Sequence, residues 1–171
     1  MSNLKYKYAE EPVEELIYMS RTFNAPRDLV FKAWTDPEFL KRWWGPIGFT
    51  LPFCTVDLRP GGILHYCMRA PDGKEYWGRG IYREIVKPER IVYTDCFSDE
   101  KGNKTSPTKY GLSADWPQET ELTVTFAEQG GKTLLTLQST IGAAPAEELE
   151  MCRQGWSESL DRLAKELAQQ K

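Results

Sequence analysis

The sequence has few of the residue types that bind metals. Its 171 residues include one histidine, His65, and four cysteines, none of which form a Cys-x-x-Cys pair. A zinc site would need an unusual ligand set, and reduced thiols packed as small apolar residues are the simpler interpretation. The sequence also lacks a phosphate-binding loop and a serine or cysteine triad pattern. It therefore predicts no metal, no cofactor and no motif-defined catalytic residue.

Positive charge and long apolar segments are also missing. The formal net charge is -3, whereas proteins that hold a nucleic acid backbone carry a basic excess. The same charge argues against docking on an anionic membrane surface. No apolar run approaches the roughly 20 residues that span a bilayer, and residues 1–7 lack the apolar core of a signal peptide. We expect no nucleic acid partner, no membrane insertion and a cytoplasmic location.

Aromatic residues are abundant instead. They make up 12% of the chain and include six tryptophans. They would either fill a core or line a ligand pocket, because pockets favour aromatic walls with a few polar groups.

The order of structural signals indicates a domain over residues 16–171, preceded by a flexible, acidic arm over residues 1–15. A strand is predicted over 16–23. Two short helices follow, beginning near Pro26 and Pro37, because proline suits a first helical turn. About six further strands, separated by Gly- and Pro-containing turns, are predicted over 53–59, 63–70, 75–86, 91–98, 121–127 and 133–141.

Two segments stand out from this pattern of strands. Residues 99–118 are polar and form a long loop, and loops of that length are often functional. The C-terminal segment is a helix in which apolar residues recur every three or four positions, at Leu149, Cys152, Trp156, Leu160, Leu163 and Leu167. Strands in sequence with helices kept apart indicate an α+β fold, in which the long helix covers one face of an antiparallel sheet.

Several motifs together resemble a known family. They are 24–38 in the helical region, Trp43-Trp44-Gly45-Pro46 after it, the turns 57–62 and 71–73, Glu84-Ile85, Pro88-Glu89-Arg90 and Gly155-Trp156. The family is that of homologues of the activator of the ninety-kilodalton heat-shock chaperone ATPase, in the START-like (SRPBCC, polyketide cyclase) superfamily. The resemblance covers about residues 16–168. It implies a helix-grip fold, with a cavity between a curved sheet of six or seven strands and the C-terminal helix.

The faces of the first hairpin depend on its turn. If Pro60 and Gly61 form the turn centre, Cys54 lies opposite Cys67. The face with the bulkier apolar set is then expected to be concave, and it carries Phe53, Thr55, Asp57, Leu64, Tyr66 and Met68. A bulge at Gly61-Gly62 would reverse the assignment.

The next strands offer a similar choice. A two-residue turn at Asp72-Gly73 places Trp77 beside Met68, and a three-residue turn places Tyr76 there; Trp77 is the expected neighbour. On the following strand the alternating residues Ile91, Tyr93, Asp95 and Phe97 are expected to point inward.

The predicted ligand cavity combines these faces with the loops and the last helix. Its residues are Trp43, Trp44, Phe53, Asp57, Tyr66, Met68, Trp77, Tyr93, Asp95, Phe97, Trp116, Cys152 and Trp156. Core packing is the alternative for Trp156, and Trp43 and Trp44 would form either the core edge or the cavity mouth. An Asp95 carboxyl without a partner in such a cavity would have a raised pKa, whereas a bulge or the strand end would leave it in solvent.

Three functions are consistent with the sequence. The first is binding of a small apolar or aromatic molecule. The second is an enzyme of cyclase or hydrolase type, with Asp57, Tyr93 and Asp95 as acid–base candidates. The third is contact with the chaperone, which only the resemblance implies. In the eukaryotic activator a separate N-terminal domain carries much of that contact, and the present chain has no room for it.

A homodimer through an outer sheet face with Val56, Leu58 and Ile63 is also possible, because exposed apolar patches often mark contacts.

Overall fold

The computed structural model describes residues 16–140 and 144–170, so the predicted arm 1–15 lies outside the described residues. Seven strands and three helices follow one another along the chain. They are β1 (Leu16–Phe23), α1 (Arg27–Thr35), α2 (Pro37–Trp43), β2 (Thr50–Val56), β3 (Ile63–Arg69), β4 (Glu75–Val86), β5 (Arg90–Phe97), β6 (Thr120–Gln129), β7 (Lys132–Thr140) and α3 (Ala146–Ala168). A 3-10 turn (Pro107–Tyr110) interrupts the long loop between β5 and β6.

The two short helices are delimited by the predicted signals. Pro26 is the N-cap residue of α1, and Pro37 is the first residue of α2. The Asp36 side chain accepts hydrogen bonds from the backbone N–H groups of Glu38, at 2.9 Å, and Phe39, at 3.4 Å. These bonds satisfy two of the free donors at the start of α2. The chain therefore turns between two helices within a single residue.

The strands form one antiparallel sheet in the order β1-β7-β6-β5-β4-β3-β2. The first two strands in sequence, β1 and β2, are its two edges, because the pair of short helices carries the chain from one edge to the other. The sheet curls around α3. This arrangement confirms the predicted α+β helix-grip fold.

The predicted register of the β2–β3 hairpin is wrong by one residue. Phe53 lies opposite Cys67, and Cys54 lies opposite Tyr66. The backbone N–H of Asp57 donates to Ile63 O at 3.1 Å, which closes a turn with an odd number of residues. Since a slip of one residue exchanges the two faces of a strand, β2 presents Cys54 and Val56 to the core. Phe53 and Asp57, predicted in the cavity, are instead exposed.

The expected register of the β3–β4 hairpin is also wrong by one residue. The Ala70 N–H donates to Lys74 O at 2.9 Å around a three-residue turn, so Met68 pairs with Tyr76 and Cys67 pairs with Trp77. The expected placement of Trp77 beside Met68 is therefore wrong.

The convex face of the sheet holds an aromatic cluster. The rings of Phe53, His65 and Trp77 pack with centroids 5.2–5.4 Å apart. Ile63 is 45% exposed and Leu58 39%. Val56, predicted on this outer face, packs against the core instead.

The core lies between the concave face and the helices. Leu160, Leu163 and Leu167 of α3 are almost fully buried. They belong to the same cluster as α1 and α2 side chains such as Phe31 and Leu40. This packing fills the space under the C-terminal half of α3.

Candidate functional site

A cavity of about 420 Å³ lies between the concave face of the sheet and the N-terminal half of α3. It is bordered by the loop after α2, by strands β3 to β7, by the loop between β5 and β6, and by α3. Eight aromatic side chains border it: Trp44, Phe49, Tyr66, Tyr76, Phe97, Tyr110, Trp116 and Trp156. Its polar groups include two carboxyls, from Asp95 and Glu148.

One face of α3 borders the cavity in its N-terminal half and packs into the core in its C-terminal half. Cys152 and Trp156 border the cavity, whereas Leu160 and Leu163, on the same helical stripe, are buried in the core. Met151 also borders the cavity and is 67% exposed. The cavity therefore reaches the protein surface beside the first turns of α3.

Tryptophan side chains separate the cavity from the core. Trp156 stacks on Trp34 with ring centroids 6.0 Å apart and planes inclined by 10°. Trp44 meets Trp156 edge-on at 5.3 Å. Trp43 is fully buried, and its indole N–H donates to Ala33 O at 2.9 Å. Trp43 is therefore a core residue, and its predicted position in the cavity is wrong. Its neighbour Trp44 borders the cavity.

The floor of the cavity depends on glycines in β4. Gly78 and Gly80 lie on the concave face between larger residues of β3 and β5. A Cβ atom at Gly78 would lie 2.4 Å from the Tyr66 ring, and one at Gly80 would lie 2.4 Å from the Thr94 carbonyl oxygen. No side chain fits at these distances, so Gly78 leaves room for the Tyr66 ring over β4, and Gly80 allows the close approach of the Thr94 carbonyl.

Asp95 is the acid at the centre of the floor. The Tyr66 hydroxyl donates a hydrogen bond to Asp95 Oδ1 at 3.0 Å. Burial raises the pKa of the Asp95 carboxyl from 3.8 to about 7, although hydrogen bonds from the Tyr66 hydroxyl and the Cys96 backbone N–H act in the opposite direction. Asp95 can therefore exchange a proton near neutral pH.

Tyr93 lies deeper than Asp95 and does not border the cavity. It is 1% exposed and packs in the core beside Tyr82, with ring centroids 6.0 Å apart. Its hydroxyl has no hydrogen-bond partner within the described residues. Burial, and then the nearby charge of Asp95, raise the pKa of Tyr93 well above its ordinary value. Tyr93 is thus a neutral core residue behind the site rather than a cavity residue as predicted.

Glu148 is the second carboxyl at the cavity. Its Oε1 accepts a 2.7 Å hydrogen bond from the backbone N–H of Ser113. This bond ties the first turn of α3 to the long loop. Its Oε2 is buried and accepts no hydrogen bond in the described part of the chain. A buried carboxylate oxygen without a donor costs stability, so the position suits a donor supplied from outside the chain.

The Cys152 thiol at the cavity is unreactive at neutral pH. Burial raises the pKa of Cys152 to about 12, and the negative charge of Asp95 acts in the same direction. The thiolate is the reactive form of cysteine, so at neutral pH Cys152 contributes an apolar surface rather than a nucleophile.

The structure divides the thirteen predicted cavity residues into two groups. Eight border the cavity: Trp44, Tyr66, Met68, Asp95, Phe97, Trp116, Cys152 and Trp156. Five do not: Trp43 and Tyr93 are in the core, Phe53 and Trp77 are on the convex face, and Asp57 is exposed, where it pairs with Arg59 at 2.8 Å.

Sequence reasoning missed other residues of the wall. Tyr76 was assigned to the opposite face through the turn error. Tyr110 and Leu112 lie in the long loop, whose path carries no periodic signal. Glu148 lies beside Glu147 in the acidic first turn of α3, and no pattern in the sequence marks it as a cavity residue. Phe49 follows the Gly-Pro loop after α2. The apolar residues of that loop are the signal that could have identified it as part of the wall.

Two classes of site are not found in residues 16–140 and 144–170. No group of three or more His, Cys, Asp or Glu side chains there is placed to hold a metal ion. None of the helices described is both long and apolar enough to cross a bilayer.

A curved antiparallel sheet around a long C-terminal helix, with a cavity between them, defines a START-like domain of the ligand-binding type. Residues 24–168 match the model of the family described as Activator of Hsp90 ATPase homolog 1-like protein, and the chain belongs to this family. No curated protein sequence matches the chain.

Solved structures from several bacteria are similar over nearly the whole chain. A Chromobacterium violaceum protein is 31% identical, with a TM-score of 0.69 over 88% of this chain and 94% of its own. A Staphylococcus epidermidis protein is 29% identical, with a TM-score of 0.71 over 94% of each chain. An Arthrobacter aurescens protein is 25% identical, with a TM-score of 0.75 over 94% of this chain and 90% of its own.

Proposed function

We propose that the protein binds a small apolar or aromatic molecule in the cavity between the sheet and α3. The observation that carries this proposal is a space of about 420 Å³ with eight aromatic side chains in its wall. Protein interiors are otherwise close-packed, and an empty apolar space forfeits dispersion contacts with its lining. Pockets for small molecules span about 300–1,000 Å³, so this volume suits one ligand of modest size.

The wall has the composition that such a function needs. Trp44 and Trp156 meet edge-on at 5.3 Å, and both contribute aromatic surface to the wall. Polar atoms are few, and they come mainly from Asp95, Glu148 and hydroxyl groups of the wall. A mainly apolar surface supplies the affinity, while a few polar groups orient the ligand.

Native mass spectrometry of the protein purified from its own host tests the proposal. We expect a mass excess over the denatured chain, of a few hundred daltons on the basis of the pocket volume, that is released on denaturation. The Trp156→Ala variant, purified in parallel, should carry less of this mass. A clean apo mass for the wild type, together with no binding of aromatic probes added in excess, would contradict the proposal.

One observation favours an enzyme as the second candidate. Asp95 has a pKa of about 7 and shares a hydrogen bond with Tyr66 inside an apolar cavity. An acid of this pKa is suited to transfer protons at neutral pH. Of the acid–base candidates taken from the sequence, only Asp95 borders the cavity. Once a ligand is identified, turnover that is lost in Asp95→Asn would support this candidate, and a ligand recovered unchanged would count against it.

The chaperone contact stays a prediction that rests on the family alone. Co-purification with the chaperone, or a change in its ATPase rate, is the measurement that decides it.

A further inference from the structure

The ionisable side chains in the cavity wall are all acids. Asp95 and Glu148 contribute carboxyls, and the others are phenols and thiols. None of the lysine, arginine and histidine side chains in the described residues borders the cavity. The wall therefore offers negative charge and acceptor oxygens, with no positive group to neutralise them.

Neither carboxyl forms an ion pair with the described part of the chain. The Asp95 carboxyl accepts neutral hydrogen bonds only, from the Tyr66 hydroxyl at 3.0 Å and from the Cys96 backbone N–H. Glu148 Oε1 accepts only a backbone N–H, at 2.7 Å, and its Oε2 is buried without a donor. Carboxylates in enclosed positions are usually paired with a cation or fully hydrogen-bonded. The missing partner is thus a donor, and preferably a positive one.

The aromatic wall favours the same kind of group. Trp44, Tyr66 and Trp156 all border this space, and the ring centroid of Trp44 lies 5.6 Å from that of Tyr66 and 5.3 Å from that of Trp156. Aromatic faces carry partial negative charge and attract cations, with tryptophan the strongest. Carboxylates and tryptophan faces around one cavity therefore select positive charge by two separate interactions.

We propose that the ligand of this cavity carries a basic nitrogen on an apolar or aromatic body, with the nitrogen near Asp95 and Glu148 and the body against the Trp44 and Trp156 rings. The inference rests on the proposed ligand binding and adds the charge of the ligand. Molecules with a carboxylate or phosphate are rejected, because they would enter a cavity that has only negative charge and no cationic partner.

Three probes with one aromatic body and different charge test the inference. They are 2-(1-naphthyl)ethylamine, which is positive at neutral pH, 2-(1-naphthyl)ethanol, which is neutral, and 1-naphthylacetate, which is negative. Isothermal titration calorimetry of the full chain with each probe measures affinity. We expect the amine to bind about tenfold or more tightly than the alcohol, and the acid to bind most weakly.

Two variants locate the charge selection. Asp95→Asn and Glu148→Gln keep the size and hydrogen-bonding shape of each side chain but remove its charge. Each should lower the amine affinity several-fold while leaving that of the alcohol nearly unchanged. Asp57→Asn is the matched control, because Asp57 is an exposed carboxylate outside the cavity, and it should leave the order of the three probes unaltered.

The outcomes separate this inference from the proposed function. Binding of all three probes with similar affinity, or a preference for the acid, overturns the charge inference and leaves ligand binding intact. No binding of any probe to the wild type overturns both. The wild-type order of affinities is informative even if a variant fails to fold, and circular dichroism identifies such a variant.

Discussion

The Tyr66 hydroxyl reaches across β4 and donates a hydrogen bond of 3.0 Å to Asp95. β4 lies between the strands that carry these two residues, β3 and β5. At the crossing β4 has Gly78, which pairs with Tyr66 on one side and with Phe97 on the other. Because Gly78 has no side chain, the Tyr66 ring can cross β4 at this point and hydrogen-bond to Asp95.

Replacement of Gly78 by alanine should disrupt this arrangement. The new Cβ would lie 2.4 Å from the Tyr66 ring, so the ring must move and its hydrogen bond to Asp95 must break. We expect the variant to be less stable by about 1–3 kcal/mol, the usual cost of overpacking. Urea unfolding measures this difference. Unchanged stability would show that the ring has room to move elsewhere.

Removal of the Tyr66 hydroxyl should change the ionisation of Asp95. The hydrogen bond from Tyr66 favours the charged carboxylate and so lowers the pKa of Asp95 against the larger effect of burial. In Tyr66→Phe this support is lost, and the pKa of Asp95 should rise above about 7. Carbon-13 NMR of the Asp95 carboxyl during a pH titration measures the shift. Tyr110→Phe is the control, because its hydroxyl donates to Ser98 O rather than to Asp95.

The raised pKa of Asp95 should make stability fall as pH rises. Below pH 3.8 the carboxyl is protonated in both the folded and unfolded states and contributes nothing. Between 3.8 and about 7 the unfolded chain ionises while the folded chain stays protonated, so this interval favours unfolding. Above about 7 the whole penalty is present.

Asp95→Asn, which does not titrate, should therefore be more stable than the wild type at alkaline pH, by on the order of 4 kcal/mol, because each pKa unit corresponds to about 1.4 kcal/mol. The advantage should shrink as the pH falls towards 4. Urea unfolding across this pH range measures it. The same advantage at every pH would mean that Asp95 acts on stability through packing and not through its charge.

Much of the fold follows from local patterns in the sequence. Pro26 and Pro37 predict the starts of α1 and α2, and the apolar spacing of the last segment predicts α3 and the face it buries. These features depend on residues close together in the chain. For the same reason β4 was predicted with the bounds that the structure shows, Glu75–Val86.

The cavity was harder to predict because its walls depend on the number of residues in two turns. The turns before β3 and before β4 each differ by one residue from the predicted ones. One residue is enough to exchange faces, so Phe53 and Trp77 were predicted inside and Tyr76 outside. Gly61, with φ of +83°, donates its N–H to Tyr82 O of β4. Such a long-range contact fixes the turn and has no local signature.

Gly155 in α3 offers a test of how closely the helix is packed. A Cβ at this position would lie 3.5 Å from Pro46 Cγ, which is an ordinary contact, and no closer neighbour lies within the described residues. Alanine favours a helix over glycine by about 1 kcal/mol. Gly155→Ala should therefore stabilise the protein by about 0.5–1 kcal/mol, measured by thermal or urea unfolding. A loss of stability would instead show that the backbone of α3 needs the freedom of glycine here.

The sharpest test of where a ligand binds compares two tryptophans that lie on opposite sides of the sheet. Trp156 borders the cavity and stacks on Trp34, whereas Trp77 packs with Phe53 and His65 on the convex face. Trp156→Ala removes an aromatic wall and should weaken binding of 2-(1-naphthyl)ethylamine by about tenfold or more. Trp77→Ala removes the same side chain from outside the cavity and should leave the affinity within about twofold of the wild type. Calorimetric titration of both variants, each first shown to be folded by circular dichroism, measures the difference. Equal losses would mean that both changes act through general destabilisation, and a larger loss in Trp77→Ala would move the binding site to the convex face.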